Sequence, residues 1–148
     1  MPNLPKARLV SAALRARRSA VAPYSRFAVG AALATKTGTI YTGANVESAS
    51  YGLTCCAERV ALFKALTDGA REFTGLAVAA RLDGGATPCG ACRQLLAEYA
   101  PAAKVFVLDS RRPRVIREFT VAELLPAAFA NAGSGAGFAT DRSFRNRS

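Results

Sequence analysis

Apolar and polar positions along the chain alternate between two periods. Residues 4–20 (LPKARLVSAALRARRSA) set apolar side chains near helical spacing among Ala, Leu and Arg, which predicts a first helix. Ala22-Pro23-Tyr24-Ser25 breaks it, because proline steers the residue before it away from helical torsions. Phe27 to Thr35 (FAVGAALAT) is an apolar run of strand length; Lys36-Thr37-Gly38 turns the chain, and Thr39 to Gly43 returns as the second arm of a hairpin. After a polar loop over 44–54, Cys55 to Thr67 predicts a helix with Leu62, Phe63 and Leu66 as its apolar face. Thr54 is the expected cap, and Asp68-Gly69 the stop. Thr74 to Ala80 is a second buried strand, and 82–87 is a loop. Pro88 leads into a third helix, Cys89 to Tyr99, with Leu95 and Leu96 inward. Lys104 to Leu108 and Arg114 to Phe119 are two further strands. Thr120 followed by Glu123 reads as a capping box opening a short helix to Leu125.

This order predicts an α/β fold, a three-layer α-β-α sandwich around a five-stranded mixed sheet with helices on both faces. The link between the last two strands, residues 109–113, is too short for a parallel crossover, so that pair is expected to be antiparallel. The 148 residues suit one domain, placed at 1–130; the Gly/Ser/Asn/Arg-rich stretch 131–148 is expected to be a mobile tail. No apolar run approaches the roughly 20 residues needed to span a bilayer, and the N-terminus has no secretory pattern. The expectation is a soluble, cytoplasmic protein with no membrane partner.

Hydrophobic residues make up 51% of the chain, enough to fill a core. The charge is lopsided: 20 Lys+Arg stand against 10 Asp+Glu, for a formal +10. Six basic residues and no acid fall within residues 1–26, Arg111, Arg112, Arg114 and Arg117 form a second group, and Arg142, Arg145 and Arg147 a third. Such charge suits nucleic acid or an anionic ligand, or equally a solvated basic surface. The second reading is preferred, because no aromatic residues interleave with the arginines as a single-strand binding groove requires.

The chain contains no histidine, which removes His-based triads, HExxH zinc sites and His general bases together. Its four cysteines are Cys55, Cys56, Cys89 and Cys92, a pattern that in a cytosolic chain points to metal or redox work rather than to disulfides. Pro88-Cys89-Gly90-Ala91-Cys92 is a C-x-x-C at the mouth of one predicted helix, and Cys56, 33 residues earlier, lies at the start of another. If the two N-termini converge, both helix dipoles favour negative charge there and lower thiol pKa values. Three thiolates on Zn²⁺ leave one tetrahedral position open for water, as catalytic sites do. Such a site carries net negative charge. Arg59, one turn beyond Cys56, is placed to hydrogen-bond sulfur and offset it. Glu58, in the first turn of the same helix, can reach the open position without ligating and shuttle protons.

Cys56-Ala57-Glu58 followed by Pro88-Cys89-Gly90-Ala91-Cys92 resembles the signature of the zinc nucleoside deaminases, a C/H-x-E paired with P-C-x-x-C. Over about residues 20–130 the chain looks most like the small, all-cysteine, homotetrameric cytidine deaminases. The resemblance implies one zinc per chain on Cys56, Cys89 and Cys92, with Glu58 as proton shuttle. It implies conversion of cytidine and 2′-deoxycytidine to uridine and 2′-deoxyuridine in pyrimidine salvage. Ala22 to Ala32 resembles the family's opening strand, which implies that Phe27 packs on the pyrimidine. Asn45-Val46-Glu47 resembles its N-x-E, which implies that Asn45 and Glu47 hydrogen-bond the ribose 3′-hydroxyl. The backbone at Ala57 and near Cys89 would hold the base edge. Tyr51 lies where the family reaches toward a neighbouring subunit's site, and Leu124 to Phe129 resembles its L-L-P-x-x-F, which implies that Phe129 caps the base across a subunit boundary.

Two departures from the pattern stand out. Cys55 is an extra thiol beside a ligand and is expected to be a small buried residue, not a fourth ligand; the stretch beyond Phe129 has no family counterpart. Blasticidin-type deaminases share C-A-E and P-C-x-x-C, but the N-x-E loop and the Phe129 segment favour ordinary nucleosides. Deaminases of RNA or DNA join their last strands through a helix, which the short 109–113 turn argues against, so no nucleic-acid partner is expected. A non-catalytic redox or zinc module would leave Cys56 and Glu58 unexplained.

Overall fold

The structure is a computed structural model that describes residues 6–129. The expected tail at 131–148, with its arginines, lies outside the described residues. Helix α1 spans Lys6–Ala16 and tightens into one 3₁₀ turn at Arg17–Ser19, where a continuous helix to residue 20 was expected. Strands β1 (Val29–Thr35) and β2 (Ile40–Ala44) form the hairpin, α2 is Ala57–Thr67, β3 Phe73–Ala80, α3 Gly90–Tyr99, β4 Lys104–Asp109, β5 Ile116–Thr120 and α4 Val121–Leu124. The sheet runs β2-β1-β3-β4-β5. β1 is antiparallel to both β2 and β3, β3 and β4 are parallel across the α3 crossover, and β4 and β5 are antiparallel, as the short turn between them requires.

The central strands read as unbroken apolar runs because helices cover both faces. Side chains alternate across the sheet: Ala32, Ala34, Ala77, Ala79, Phe106 and Leu108 meet α1 through Leu9, Val10, Ala12 and Ala13. Ala31, Leu33, Leu76, Val78, Val105 and Val107 form the opposite core with α2, α3 and α4. Among the described residues no helix is long and apolar enough to cross a membrane.

Helix α2 departs from its sequence reading in two ways that shape the site. Its buried face is Ala57, Glu58, Ala61, Leu62 and Ala65, whereas Phe63 is 43% exposed and Leu66 only partly buried. The cause is a close approach at Gly43 of β2. A Cβ there would lie 2.4 Å from the Ala57 carbonyl oxygen and 2.5 Å from the Ala61 amide nitrogen. Only small side chains fit between helix and strand, so the alanine stripe turns inward. Thr54 is not the cap: Cys55 pairs in extended conformation with Val46, so the helix starts two residues later with Cys56 at the N-cap. The Thr54 hydroxyl instead accepts from the Ser48 amide at 3.1 Å. The helix ends as predicted. Gly69 takes φ +93°, and the Gly69 and Ala70 amides donate to the Leu66 and Ala65 carbonyls in a Schellman arrangement.

Because Gly43 sets the distance of α2 from the sheet, Gly43→Ala is expected to cost about 1–3 kcal/mol, an overpacking penalty. Denaturant unfolding checks it; an unchanged midpoint would show that α2 can move away from β2 freely.

Candidate active site

Cys56 and Cys89 are the N-cap residues of α2 and α3, both with extended torsions (φ −69°, ψ 153° and φ −65°, ψ 167°). Neither side chain caps its own helix, which leaves both sulfurs for other partners. The two N-termini converge. Cys56 Sγ lies 3.6 Å from Cys89 Sγ, Cys89 Sγ lies 3.4 Å from Cys92 Sγ, and all three fall within 4.8 Å of one another. Tetrahedral zinc, with Zn–S near 2.3 Å, spaces its sulfurs about 3.8 Å apart, so this group fits the ion in both chemistry and spacing. The hydrogen bond from Cys92 draws the Cys56 thiol down to about 5, with Arg59 helping against the opposing effect of burial, while the same contact pushes Cys92 up. Cys55 Sγ lies outside the group. It is half-buried rather than buried, 3.7 Å from the Cys56 carbonyl oxygen.

Arg59 Nη2 donates to the Thr54 carbonyl at 3.2 Å and to Cys56 Sγ at 3.4 Å. Its Nε is buried with no hydrogen-bond partner among the described residues. An orphaned buried donor costs about 1–3 kcal/mol; the same guanidinium meets the Cys56 sulfur through Nη2, so a more negative thiol cluster would stabilise it. Glu58 projects from the first turn of α2 and is 5% exposed. Burial pushes its carboxyl up to about 7, with the negative Cys56 adding to the effect, so both protonation states are accessible near neutrality.

Phe27, Asn45, Cys56, Ala57, Glu58 and Cys89 line one cavity of about 200 Å³, closed further by Val29, Thr54, Val78, Ala86 and Thr87. Glu47 and Tyr51 line an adjoining cavity of about 350 Å³ with Tyr24, Ser25 and Ser48, and Thr54 borders both. Phe129 lines neither; its side chain is 77% exposed and its carbonyl accepts from Gln94 Nε2 at 3.1 Å. Asn45 is a bracket as well as a lining residue. Its Oδ1 accepts from the Val29 amide at 2.9 Å and its Nδ2 donates to the Phe27 carbonyl at 2.8 Å, fixing the entry to β1. Glu47 accepts from the Tyr24 and Ser25 amides, both at 3.0 Å, and from the Ser25 hydroxyl, bonds that hold its pKa below the usual carboxylate value. A larger groove of about 600 Å³ lies beside the β1–β2 turn and the end of α2. Its acidic groups have partners, Asp68 accepting from the Tyr41 hydroxyl and Glu72 pairing with Lys36 at 3.8 Å, and it contains no thiol.

Sequence reasoning missed Ala86 and Thr87, although Thr87 directly precedes the Pro88-Cys89 motif and adjacency alone could have flagged it. Val78 carried no signal, being one apolar residue in a buried strand. The loop that delivers Ala86 and Thr87 is pinned from β4 and β5. Arg111 holds the buried Asp109 through Nε and Nη2 and reaches Asp83 Oδ1 at 2.8 Å; Arg117 Nη1 donates to the Gly84 carbonyl at 3.1 Å. Hydrogen bonds from Arg111 hold the Asp109 carboxyl below its ordinary 3.8. A depressed carboxyl stabilises the fold above the unfolded-state value, and that contribution is lost as pH falls through the folded-state value. Asp109→Asn is therefore expected to be less stable at neutral pH and to lose less stability below pH 4 than the parent. Thermal melts across pH check this; parallel curves would refute it.

The chain matches the family model for the cytidine and deoxycytidylate deaminase zinc-binding region over residues 5–108. A cytidine deaminase of Halalkalibacterium halodurans is 52% identical over 122 residues, covering 82% of this chain and 91% of that protein. The crystal structure of cytidine deaminase from Burkholderia pseudomallei superimposes with a TM-score of 0.80 at 46% identity, covering 84% of this chain and 98% of that one. A blasticidin-S deaminase of Bacillus cereus is more distant, 34% identical over 110 residues, covering 68% of this chain and 76% of that protein. With the match spanning most of the chain and the two cytidine deaminases alike over nearly their whole length, the chain belongs to the cytidine and deoxycytidylate deaminase family.

Proposed function

We propose that the protein hydrolyses cytidine and 2′-deoxycytidine to uridine and 2′-deoxyuridine, releasing ammonia. The observation that carries this reading is the buried Glu58 in one small cavity with Cys56 and Cys89, beside the third thiol of Cys92. Cys56, Cys89 and Cys92 would hold zinc, whose contribution when bound is to polarise water at an open fourth position. Glu58 takes a proton from the attacking water and delivers it to N3 of the base. It then carries the second proton to the departing amine, as oxygen bonds to C4 and the C4–N bond breaks. A carboxyl near 7 serves both directions of transfer.

Phe27 supplies an apolar wall for the pyrimidine. The Ala57 amide, among the first N–H groups of α2 with no partner inside the helix, suits the base edge. Asn45 keeps one N–H and one lone pair beyond its backbone bonds, and with Glu47 it offers donor and acceptor to the sugar 3′-hydroxyl. Arg59 balances the thiolate charge. Tyr51 and Phe129, 80% and 77% exposed in the single chain, suit contacts with neighbouring copies in a homotetramer with shared sites. Leu53, in the same 3₁₀ turn as Tyr51, is 74% exposed as well. Residues 1–130 form the single catalytic domain. A thiol cluster of this kind suits the reducing cytoplasm, where the enzyme would return pyrimidine nucleosides to the uridine pool.

Ammonia release from cytidine, 2′-deoxycytidine, adenosine and blasticidin S tests the reading. Turnover of the two cytosine nucleosides alone supports it. Preference for blasticidin S, or no turnover with one zinc per chain, overturns it.

A further inference from the structure

We infer that Arg93 is a positioning residue for the nucleoside pocket: its guanidinium locks the Thr87–Pro88 wall to the segment that leads to Phe129, and so sets substrate affinity. The inference rests on the deaminase reading. Arg93 lies in the first turn of α3, one residue after Cys92, and all three of its guanidinium nitrogens are engaged. Nε donates to the Pro88 carbonyl at 2.6 Å, Nη2 to the Thr87 hydroxyl at 3.0 Å and Nη1 to the Leu124 carbonyl at 2.8 Å. Two of these acceptors belong to the loop that lines the cavity and runs into Cys89. The third is the last carbonyl of α4, one of the groups a helix end leaves without an internal partner.

The loop 81–88 needs such a clamp. Gly84 and Gly85 take φ +76° and +77°, and Arg111 and Arg117 tie down only its outer half, at Asp83 and Gly84. Arg93 holds the inner half, at Thr87 and Pro88. The next residue of α3, Gln94, donates to the Phe129 carbonyl at 3.1 Å. Two consecutive side chains therefore fasten both ends of 124–129 to the helix that bears Cys92. The planar fork of arginine can satisfy acceptors from three chain segments at once; the compact ammonium of lysine cannot.

The test uses the zinc-loaded full chain and the variants Arg93→Lys, Thr87→Val and the double substitution. Arg93→Lys is expected to raise KM for cytidine about tenfold with kcat within about threefold of the parent. Zinc stays at one per chain, and uridine binding measured by calorimetry weakens in parallel. Thr87→Val removes one of the same contacts, so it raises KM less, and the double variant is no worse than Arg93→Lys alone. Unchanged KM and uridine affinity in Arg93→Lys, multiplicative effects in the double variant, or a KM rise that tracks zinc loss would each overturn the inference. Should Arg93→Lys fail to fold, an unchanged KM in Thr87→Val overturns it. Parent protein that releases no ammonia overturns the deaminase reading, and this inference with it; normal parent turnover beside unaltered variants overturns this inference alone.

Discussion

Glu58→Ala lowers kcat for cytidine by at least about 10²–10⁴-fold, the range expected for losing a positioned acid–base group, while zinc stays at one per chain. The reason is the isolation of this carboxyl. It is 5% exposed, with its pKa raised by burial to about 7, and it shares a cavity with two of the three thiols. Among the described residues lining that cavity it is the one carboxylate, and the chain has no histidine to stand in. Glu58→Gln keeps the volume and part of the hydrogen bonding but cannot exchange protons, so it falls with alanine rather than with the parent. Initial rates with metal analysis on the same samples decide it. A variant within tenfold of the parent would remove Glu58 from the proton path.

Cys89→Ala loses both zinc and thermal stability. The two helix N-termini carry like partial charges, and among the described residues the cation that meets the three sulfurs, spaced 3.4 and 3.6 Å from Cys89 Sγ, is Arg59 on the Cys56 side. A bound zinc would join them, so its binding energy would also be folding energy. Cys55→Ala is the control. Its sulfur lies outside the group of three, and zinc content should not change. Stoichiometric zinc in Cys89→Ala, or zinc loss in Cys55→Ala, would refute the ligand set. Both results are read by metal analysis of dialysed protein beside a thermal melt.

Much of this molecule is visible in one dimension. The apolar runs at 27–35, 74–80 and 104–108 announce strands buried on both faces, and the short 109–113 link dictates an antiparallel last pair. Cys56-Ala57-Glu58 and Pro88-Cys89-Gly90-Ala91-Cys92 identify the metal chemistry because helix starts place consecutive motif residues close together whatever the rest of the chain does. Local spacing is enough for those inferences.

Other features depend on who neighbours whom. The same apolar pattern is compatible with several strand orders, and β2-β1-β3-β4-β5 follows only once the helices choose their faces. Leu62, Phe63 and Leu66 look like the buried face of α2, yet with Gly43 bringing the strand close only Leu62 of the three is fully buried, and the alanines take the rest of that face. Asn45 reads as a polar loop residue, yet its amide brackets two backbone groups sixteen and eighteen residues away. Arg93 carries no signal in the sequence, and its long-range acceptor, the Leu124 carbonyl, comes into reach only when α4 packs beside α3. The sequence by itself determined the secondary elements, the mixed sheet and the thiol–glutamate chemistry, all of which arise from spacings within one turn or one strand. The tertiary structure decided the helix face, the pocket wall and the convergence of the two helix mouths, because those arise from long-range packing distances that no local pattern encodes.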